Sequence, residues 1–201
     1  MNVHGVEPPP RPSARNRLLT AADDLFYAQG IETTGVDALI EAADVARMTF
    51  YKHFRGKDAL VVAYLEERDD RWRKLLDLTW EAAGDDPRDR LLAVFDALGI
   101  CHSERGFRGC SFANAAAELA HRDHPARTIV TAHKSELRED ISSLVHRAGY
   151  ENAADLTDTL LMLYEGATTT QALGTVEDAI SKARAAVARL LETWPRREGG
   201  S

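Results

Sequence analysis

The chain has 201 residues, of which 44% are hydrophobic and 28% are charged, and its formal net charge at pH 7 is −7. This apolar content excludes a globally disordered chain, and the length suits one large domain or a small domain joined to a larger one. The net negative charge comes from the residues after 57, because residues 1–57 hold seven basic and seven acidic residues. Such a balance argues against a general nucleic-acid coat protein, since any DNA-binding face in the first part must depend on local geometry.

The amino-acid composition also predicts the fold class and the cellular compartment. Strand signals are weak, and Ala, Leu, Glu, Asp and Arg dominate, which predicts an all-α fold. The sequence contains no run of about 18 apolar residues, so no transmembrane helix is predicted. The N-terminal residues also lack the apolar segment of a signal peptide. Two cysteines without a disulfide framework are typical of a reducing compartment, so we expect a cytoplasmic protein.

The N-terminal segment predicts a flexible arm followed by a long helix. Residues 1–12 are rich in proline and polar residues, which favours disorder. Arg11 and Arg15 could reach a DNA minor groove, as basic arms do, although a flexible leader is the simpler interpretation. The first helix is predicted from residue 13 or 14 to residue 29, with Gly30 as its stop.

The stretch from Thr33 to Leu60 predicts two short helices, a tight turn between them and the start of a longer helix. Apolar residues recur at helical spacing in the first short helix: Val36, Leu39, Ile40 and Ala43. Thr34 precedes this stripe and Asp37 lies three residues later, so we expect a variant of the capping box.

The second short helix has two chemically different faces. Phe50 and Phe54 are four residues apart and are expected to be buried. The opposite face carries mainly hydrogen-bonding and cationic side chains: Arg47, Met48, Thr49, Tyr51, Lys52 and His53. Helix-turn-helix proteins place such a helix in the DNA major groove. Periodicity alone also leaves open a surface helix whose polar face is merely solvated.

The residue identities are more specific than the periodicity. Residues 45–54, VARMTFYKHF, and residues 57–60, KDAL, resemble the signature of the tetracycline-repressor (TetR) family of regulators. Gly30 and residues 34–36 match the same pattern upstream, and the resemblance covers residues 15–62. Two positions depart from the family pattern. Ala46 stands where Ser or Thr usually caps the recognition helix, a loss of about 1 kcal/mol, and Gly35 lacks a hydroxyl that could contact phosphate.

The resemblance implies which side chains meet DNA. Four are expected near base edges: Arg47, Met48, Thr49 and Lys52. Four others are expected on or near phosphates: Thr34, Tyr51, His53 and Lys57. All eight residues lie in residues 13–58, which would form a three-helix DNA-binding head. A larger body would follow at residues 59–195.

The rest of the chain predicts six further helices, which gives about nine in all. They span approximately residues 56–81, 87–101, 110–118, 124–148, 152–173 and 177–193. Asp86 and Pro87 are expected at the N-cap and first position of one of these helices, and Gly149 ends another.

The last two helices have wide apolar and small-residue faces. In the family that the head resembles, the corresponding helices pair with those of a second subunit. The resemblance therefore implies a homodimer through residues 152–173 and 177–193, although both helices could instead close the core of a monomer. A two-fold dimer would present recognition helices about 34–36 Å apart to a near-palindromic site in double-stranded DNA.

A small-molecule effector site is predicted inside the body. Apolar residues of four predicted helices would supply its walls: Trp72, Leu76, Phe95, Leu98, Phe112 and Met162. Polar residues would orient the ligand: Asn114, Glu118, His133 and Tyr164. Each apolar residue, considered singly, is equally compatible with an ordinary core position.

Metal and catalytic chemistry have weaker support. His121, His124 and His133 lie within 13 positions, with Glu118 nearby. A proline break separates His124 from His133, and solvated or core histidines are the favoured interpretation. Cys101 and Cys110 flank a loop, and structural thiols are favoured over a redox pair. No phosphate-binding loop, nucleophile elbow or HExxH motif is present, so neither an enzyme nor a cofactor is predicted.

These features predict a ligand-responsive transcriptional regulator, foremost a repressor that a small molecule releases from its operator. The alternative is a helical protein that binds a small molecule or a metal and has little operator preference. Activation of transcription would depend on where the operator lies relative to a promoter, which the protein sequence does not specify.

Overall fold

The structure is a computed structural model of the chain, and it describes residues 11–103, 106–119, 121 and 123–197. Most of the predicted N-terminal arm, residues 1–10, lies outside the described residues. No helix among the described residues is both long enough and apolar enough to cross a membrane.

The described residues form helices connected by turns and short loops. The helices are α1 (Ala14–Gln29), α2 (Val36–Ala42), α3 (Arg47–His53), α4 (Lys57–Ala83), α5 (Pro87–Ser103), α6 (Ser111–Glu118), α7 (Ala126–Arg147), α8 (Ala153–Ala172) and α9 (Ala179–Thr193). The one β-type pairing in this part of the chain is an isolated bridge between Tyr150 and Arg196. The all-α prediction is therefore confirmed.

Several helix ends follow from short-range sequence signals. The hydroxyl of Ser13 accepts a hydrogen bond from the Asn16 N–H at 3.2 Å and so caps α1. Gly30 ends the same helix with φ of 98°, a conformation that glycine adopts without steric cost. Asp86 accepts the Arg88 N–H at 2.8 Å, immediately before α5 begins at Pro87.

The start of α2 differs from the prediction. Gly35, not Thr34, occupies the N-cap, and no side chain caps the helix. The Thr34 hydroxyl instead donates to the Gly30 carbonyl at 2.7 Å, which secures the turn that follows α1. The predicted capping box is therefore wrong, because the preceding turn provides a nearer acceptor for the same hydroxyl.

The chain divides into two compact units, one ending at Tyr64 and the other beginning at Leu65, so their boundary lies within α4. In the first unit, α1 packs against both α2 and α3. Its core contains fully buried side chains from all of its helices: Leu18, Ala22, Leu39, Phe50 and Leu60. Phe26 meets Tyr64 edge-on at a centroid distance of 5.5 Å. This packing holds α3 in place at the surface of the unit.

The second unit is built around α5, α7, α8 and α9. α5 packs against α7 and α9, and α8 packs against the same two helices, so the four helices enclose a common core. Its members are mainly leucine, phenylalanine and β-branched residues, including Leu91, Phe95, Leu137, Ile141, Leu156, Leu160, Val187 and Leu191. The last two helices thus contribute to the core of one chain.

Candidate DNA-binding and effector sites

α3 separates a buried anchor from an exposed reading face. Phe50 is fully buried and Phe54 nearly so, and their ring centroids lie 6.2 Å apart. On the other side Met48 is 79% exposed and Tyr51 is 47% exposed. Thr49 is half-buried, and the remaining candidates are exposed: Arg47, Lys52 and His53. A seven-residue helix with this division can offer side chains to a DNA groove while its aromatic side holds it to the unit.

Arg47, a candidate base-reading residue, lies at the start of α3 and pairs with Asp37 in the first turn of α2. Both side chains are largely exposed, at 59% and 79%. Exposed ion pairs contribute little free energy, typically about 0–1 kcal/mol. The guanidinium is therefore held in one position by a contact that a phosphate or a base edge could replace.

Thr34 is not available to DNA. Its side chain is 1% exposed, and its hydroxyl is used by the Gly30 carbonyl. The prediction that Thr34 contacts phosphate is therefore wrong. The resemblance to the family assigned Thr34 to the phosphate-contacting surface from its position in the motif. Its burial beneath the turn after α1 shows a structural role instead.

Lys57 lies at the first position of α4 and is half-buried. Its ammonium group donates to the Glu32 carbonyl at 3.3 Å, which places the charge beside the segment between α1 and α2. The N-terminus of a helix attracts anions, so this location is compatible with the predicted phosphate contact.

Sequence analysis gave no role to Arg17, which organises the end of α2 together with Arg11. Arg17 in α1 donates through Nε to the Ala43 carbonyl at 2.9 Å and through Nη2 to the Asp44 carbonyl at 3.1 Å. Asp44 has a positive φ of 48°, and its carboxylate pairs with Arg11. These contacts fix the turn between α2 and α3. No local pattern could reveal them, because 26 residues separate Arg17 from Ala43.

Arg15 also lies near the recognition helix. Its guanidinium carbon sits 5.6 Å from the centroid of the Phe54 ring, and the side chain is exposed. The cation is therefore held at the C-terminal end of α3, within the first unit.

The second unit contains a connected cluster of aromatic rings, which we call the ring cluster: Trp72, Phe95, Phe112, His133 and Tyr164. The Phe112 and His133 rings stack at 3.6 Å with an interplanar angle of 10°. Trp72 meets His133 at 6.4 Å and Tyr164 at 6.2 Å, and Phe95 meets Tyr164 at 6.0 Å, all edge-on. The structure thus brings together five of the ten predicted effector residues, from five different helices.

His133 is held by a residue that sequence reasoning did not identify. Its Nδ1 atom lies 2.6 Å from the Asp69 carboxylate. Burial lowers the pKa of His133 below its ordinary value of 6.5, although the hydrogen bond to Asp69 opposes this shift. Asp69 and His133 are 64 positions apart, and acidic residues are frequent along α4, so no signal singled out this one.

Tyr164 and its neighbours combine burial with charge. Burial raises the pKa of the Tyr164 phenol well above its ordinary value. Next to it in α8, Glu165 accepts a hydrogen bond from Lys134 at 2.5 Å. The Lys134 ammonium also lies 3.4 Å from the Cys110 sulfur. Burial disfavours the charged form of Lys134, but Cys110 and Glu165 outweigh it and raise its pKa.

The other predicted effector residues are placed differently. Leu76 and Leu98 are buried in the core of the second unit. Asn114 is half-buried and donates to the Arg108 carbonyl at 3.1 Å, and Glu118 is also half-buried. Met162 is 67% exposed, so the prediction that it lines an internal site is wrong. Periodicity could not show which of several apolar positions on α8 faces outward.

Metal ligands and thiols give no further site among the described residues. In this part of the chain no group of three or more His, Cys, Asp or Glu side chains is placed to hold a metal ion. His121 is exposed, whereas His133 is buried and paired with Asp69. Cys101 and Cys110 are not joined in a disulfide, and both are of intermediate burial.

Known proteins resemble both units. Residues 18–64 match the model of the family described as bacterial regulatory proteins, tetR family. The regulator TcmR of Streptomyces glaucescens is 31% identical over 84 residues, which is 42% of this chain and 36% of TcmR. The repressor NemR of Escherichia coli is 28% identical over 106 residues, 52% of this chain and 53% of NemR. The chain thus matches about half or less of the length of these two curated relatives.

A solved structure matches over nearly the whole chain. The crystal structure of a TetR-family transcriptional regulator from Streptomyces coelicolor superposes with a TM-score of 0.82 and 31% sequence identity. The match covers 89% of this chain and 94% of that protein. Identity at this level over both units, together with the helix-turn-helix match, shows that the chain belongs to the TetR family of transcriptional regulators.

Proposed function

We propose that the protein is a homodimeric DNA-binding transcriptional regulator, foremost a repressor that a small molecule releases from its operator. The observation that carries this proposal is α3, which is anchored by Phe50 and exposes Arg47, Met48, Tyr51 and Lys52 within the segment that matches the family. NemR, which matches about half of this chain, is named a transcriptional repressor. The protein would act in the cytoplasm, where bacterial DNA lies.

An exposed stripe on α8 supports the homodimer. Exposed positions recur at helical spacing along this helix and continue just past its end: Asp155, Asp158, Met162, Gly166, Thr169 and Leu173. Met162 and Leu173 are 67% and 70% exposed, and Gly166 has no side chain to hold a second helix away. Large exposed apolar side chains next to a small residue favour close packing against a partner helix. α8 would therefore use one face for its own core and the other for a second subunit.

The route from effector to DNA runs through α4. This helix begins at Lys57, beside the proposed DNA-binding face, and continues to Ala83, with Trp72 of the ring cluster along it. An effector that prefers one conformation of the body would change the position of α4 and therefore the separation of the two recognition helices. A molecule that bound both conformations equally would have no effect.

The decisive experiment measures binding to DNA that flanks the protein's own gene, at two salt concentrations. The variants Arg47→Ala and Tyr51→Ala alter the proposed reading face, and Lys74→Ala removes one exposed cation from α4 outside that face. We expect selective, salt-sensitive binding that Arg47→Ala weakens by about 1–3 kcal/mol and that Lys74→Ala leaves unchanged.

Absence of selective binding to this DNA would require selection from random sequences, since the operator could be distant. If that selection enriched no sequence, the DNA-binding proposal would be refuted. The protein would then be a small-molecule- or metal-binding helical protein.

A further inference from the structure

Two buried polar atoms in the ring cluster lack a hydrogen-bond partner among the residues that the structure describes. Both residues are buried: Tyr164 is 5% exposed and His133 is 4% exposed. Asp69 satisfies Nδ1 of His133, but no described residue satisfies its Nε2 or the Tyr164 hydroxyl. Buried polar groups almost always have a partner, so these two atoms call for one that this part of the chain does not supply.

The two atoms border open space. Among the described residues, one side-chain nitrogen or oxygen is both fully enclosed by protein and without a hydrogen-bond partner, and that atom is Arg88 Nε. The Tyr164 hydroxyl and His133 Nε2 are not among such enclosed atoms, so we infer that each borders space that a ligand atom could occupy. Both rings meet the same indole, that of Trp72, at centroid distances of 6.2 and 6.4 Å, so both atoms belong to rings that pack on one tryptophan.

The hydrogen-bonding roles of the two atoms are complementary. The Asp69 carboxylate can only accept, so the neutral His133 ring carries its proton on Nδ1 and offers Nε2 as an acceptor. Burial lowers the pKa of His133 and raises that of Tyr164, which keeps both groups neutral near pH 7. The site therefore presents one neutral acceptor and one neutral hydroxyl donor.

Two cations near the cluster already have partners of opposite sign. Lys134 pairs with Glu165 at 2.5 Å, and Arg73 pairs with Glu136 and, at 2.9 Å, with Asp140. An anionic ligand would lose its hydration without gaining a free cation from Lys134 or Arg73. The aromatic walls instead favour a flat, uncharged molecule.

We propose that the effector is a neutral aromatic compound with a hydroxyl group, which accepts a hydrogen bond from Tyr164 and donates one to Nε2 of His133. The inference rests on the proposed function, because it specifies the ligand of the effector site in that regulator. A hydroxyl group is suited to this site since it both donates and accepts, as the two protein atoms require.

Calorimetry on the full chain tests the ligand class with three probes of one ring size. These are 2-naphthol, naphthalene without the hydroxyl, and the anion 2-naphthoate. We expect 2-naphthol to bind more tightly than both of the others. Equal binding of naphthalene, tighter binding of naphthoate or no binding of 2-naphthol at millimolar concentration would overturn the proposal, the last because it would leave only water at the two atoms.

The variant Tyr164→Phe keeps the ring and removes the hydroxyl. It should weaken 2-naphthol binding by roughly tenfold and leave naphthalene binding unchanged. Tyr150→Phe is the matched control, because the Tyr150 hydroxyl is also buried but already donates to the Leu191 carbonyl at 2.9 Å. The control should retain native affinity for 2-naphthol. Unchanged 2-naphthol affinity in Tyr164→Phe, with native melting behaviour, would refute the assigned hydrogen bond.

DNA binding measured on the same preparations separates the two proposals. If the protein selects an operator but binds no hydroxylated probe, the inference about the effector fails and the regulator stands. If the protein binds 2-naphthol as expected but selects no DNA sequence, the ligand class stands and the regulator fails.

Discussion

At the scale of single residues, acidic side chains restrain the cations that would meet DNA. Asp37 holds Arg47 and Asp44 holds Arg11, and both pairs are largely exposed. The first 57 residues carry equal numbers of acidic and basic residues, so the unit lacks a large positive field. Binding therefore requires these cations to exchange a protein partner for DNA, which favours specific sites over DNA in general.

Asp37→Asn should strengthen DNA binding. The substitution releases Arg47 and removes a negative charge near the phosphates, and we expect affinity to rise by roughly two- to fivefold at low salt, in line with the small energy of exposed ion pairs. Fluorescence anisotropy with labelled operator measures this change. Glu41→Gln is the control, because it removes an equal charge from the same helix without touching Arg47. An equal gain in both variants would show that the ion pair has no particular role.

His133 should make the folded state sensitive to acid. Its pKa is lowered by burial below 6.5, while Asp69 acts in the opposite direction and Lys134 and Arg73 reinforce the lowering. The unfolded chain therefore binds more protons than the folded one in this range. The contribution of His133 to the free energy of unfolding decreases as the pH falls from about 6.5 to the folded-state pKa. Below that pKa the contribution no longer changes with pH.

Urea denaturation of native protein and His133→Gln at pH 7.5 and pH 5 measures this effect. The native protein should lose more free energy of unfolding than the variant between the two values. His146→Gln serves as the control, because His146 is exposed. A native protein that lost no more than His133→Gln would contradict the assignment of a lowered pKa.

At the scale of elements, the recognition helix begins without a cap. Ala46 occupies the N-cap with φ of −73° and ψ of 148°, the extended conformation that capping residues adopt, yet it has no acceptor. Ala46→Ser should therefore raise the free energy of unfolding of the first unit by about 1 kcal/mol. Chemical denaturation, monitored by the circular-dichroism signal of the helices, measures this change. Ala42→Ser, at an exposed position inside α2, should give no gain, and a gain there would argue against capping as the cause.

The outer stripe of α8 makes a second prediction at this scale. Met162→Glu should convert the proposed dimer to monomers, because it places a charge in the centre of an apolar contact. Sedimentation equilibrium at micromolar concentration detects the change in mass. Leu78→Glu is the matched control, since Leu78 is 63% exposed but lies on α4. A dimer that survives Met162→Glu and dissociates with Leu78→Glu would place the interface elsewhere.

At the scale of the whole molecule, effector and operator should influence one another by the same factor. If the effector lowers operator affinity by a given ratio, bound operator must lower effector affinity by that ratio, because the coupling free energy is shared. Calorimetric titration of 2-naphthol into free and operator-bound protein measures it. Coupling of about 1–3 kcal/mol is typical, or roughly 5- to 150-fold. Equal 2-naphthol affinities in the two titrations would mean that this ligand does not regulate DNA binding.

The sequence by itself determined what depends on near neighbours along the chain. The all-α class, the stop at Gly30, the start of α5 at Asp86 and Pro87, and the buried pair Phe50 and Phe54 all follow from spacing or local hydrogen bonding. The family followed from residue identities in the same short stretch. Signals of this kind act over about four residues, the reach of one helical turn.

Only the tertiary structure decided which groups far apart in sequence meet. It buried Thr34, joined Arg17 to the turn after α2, paired Asp69 with His133 and turned Met162 outward. Several helices have apolar residues on more than one side, so periodicity alone does not choose the face that packs inward. That choice depends on the shapes of neighbouring helices, because a close-packed core admits few arrangements. The same packing left the Tyr164 hydroxyl and His133 Nε2 without partners among the described residues, a feature that no local pattern contains.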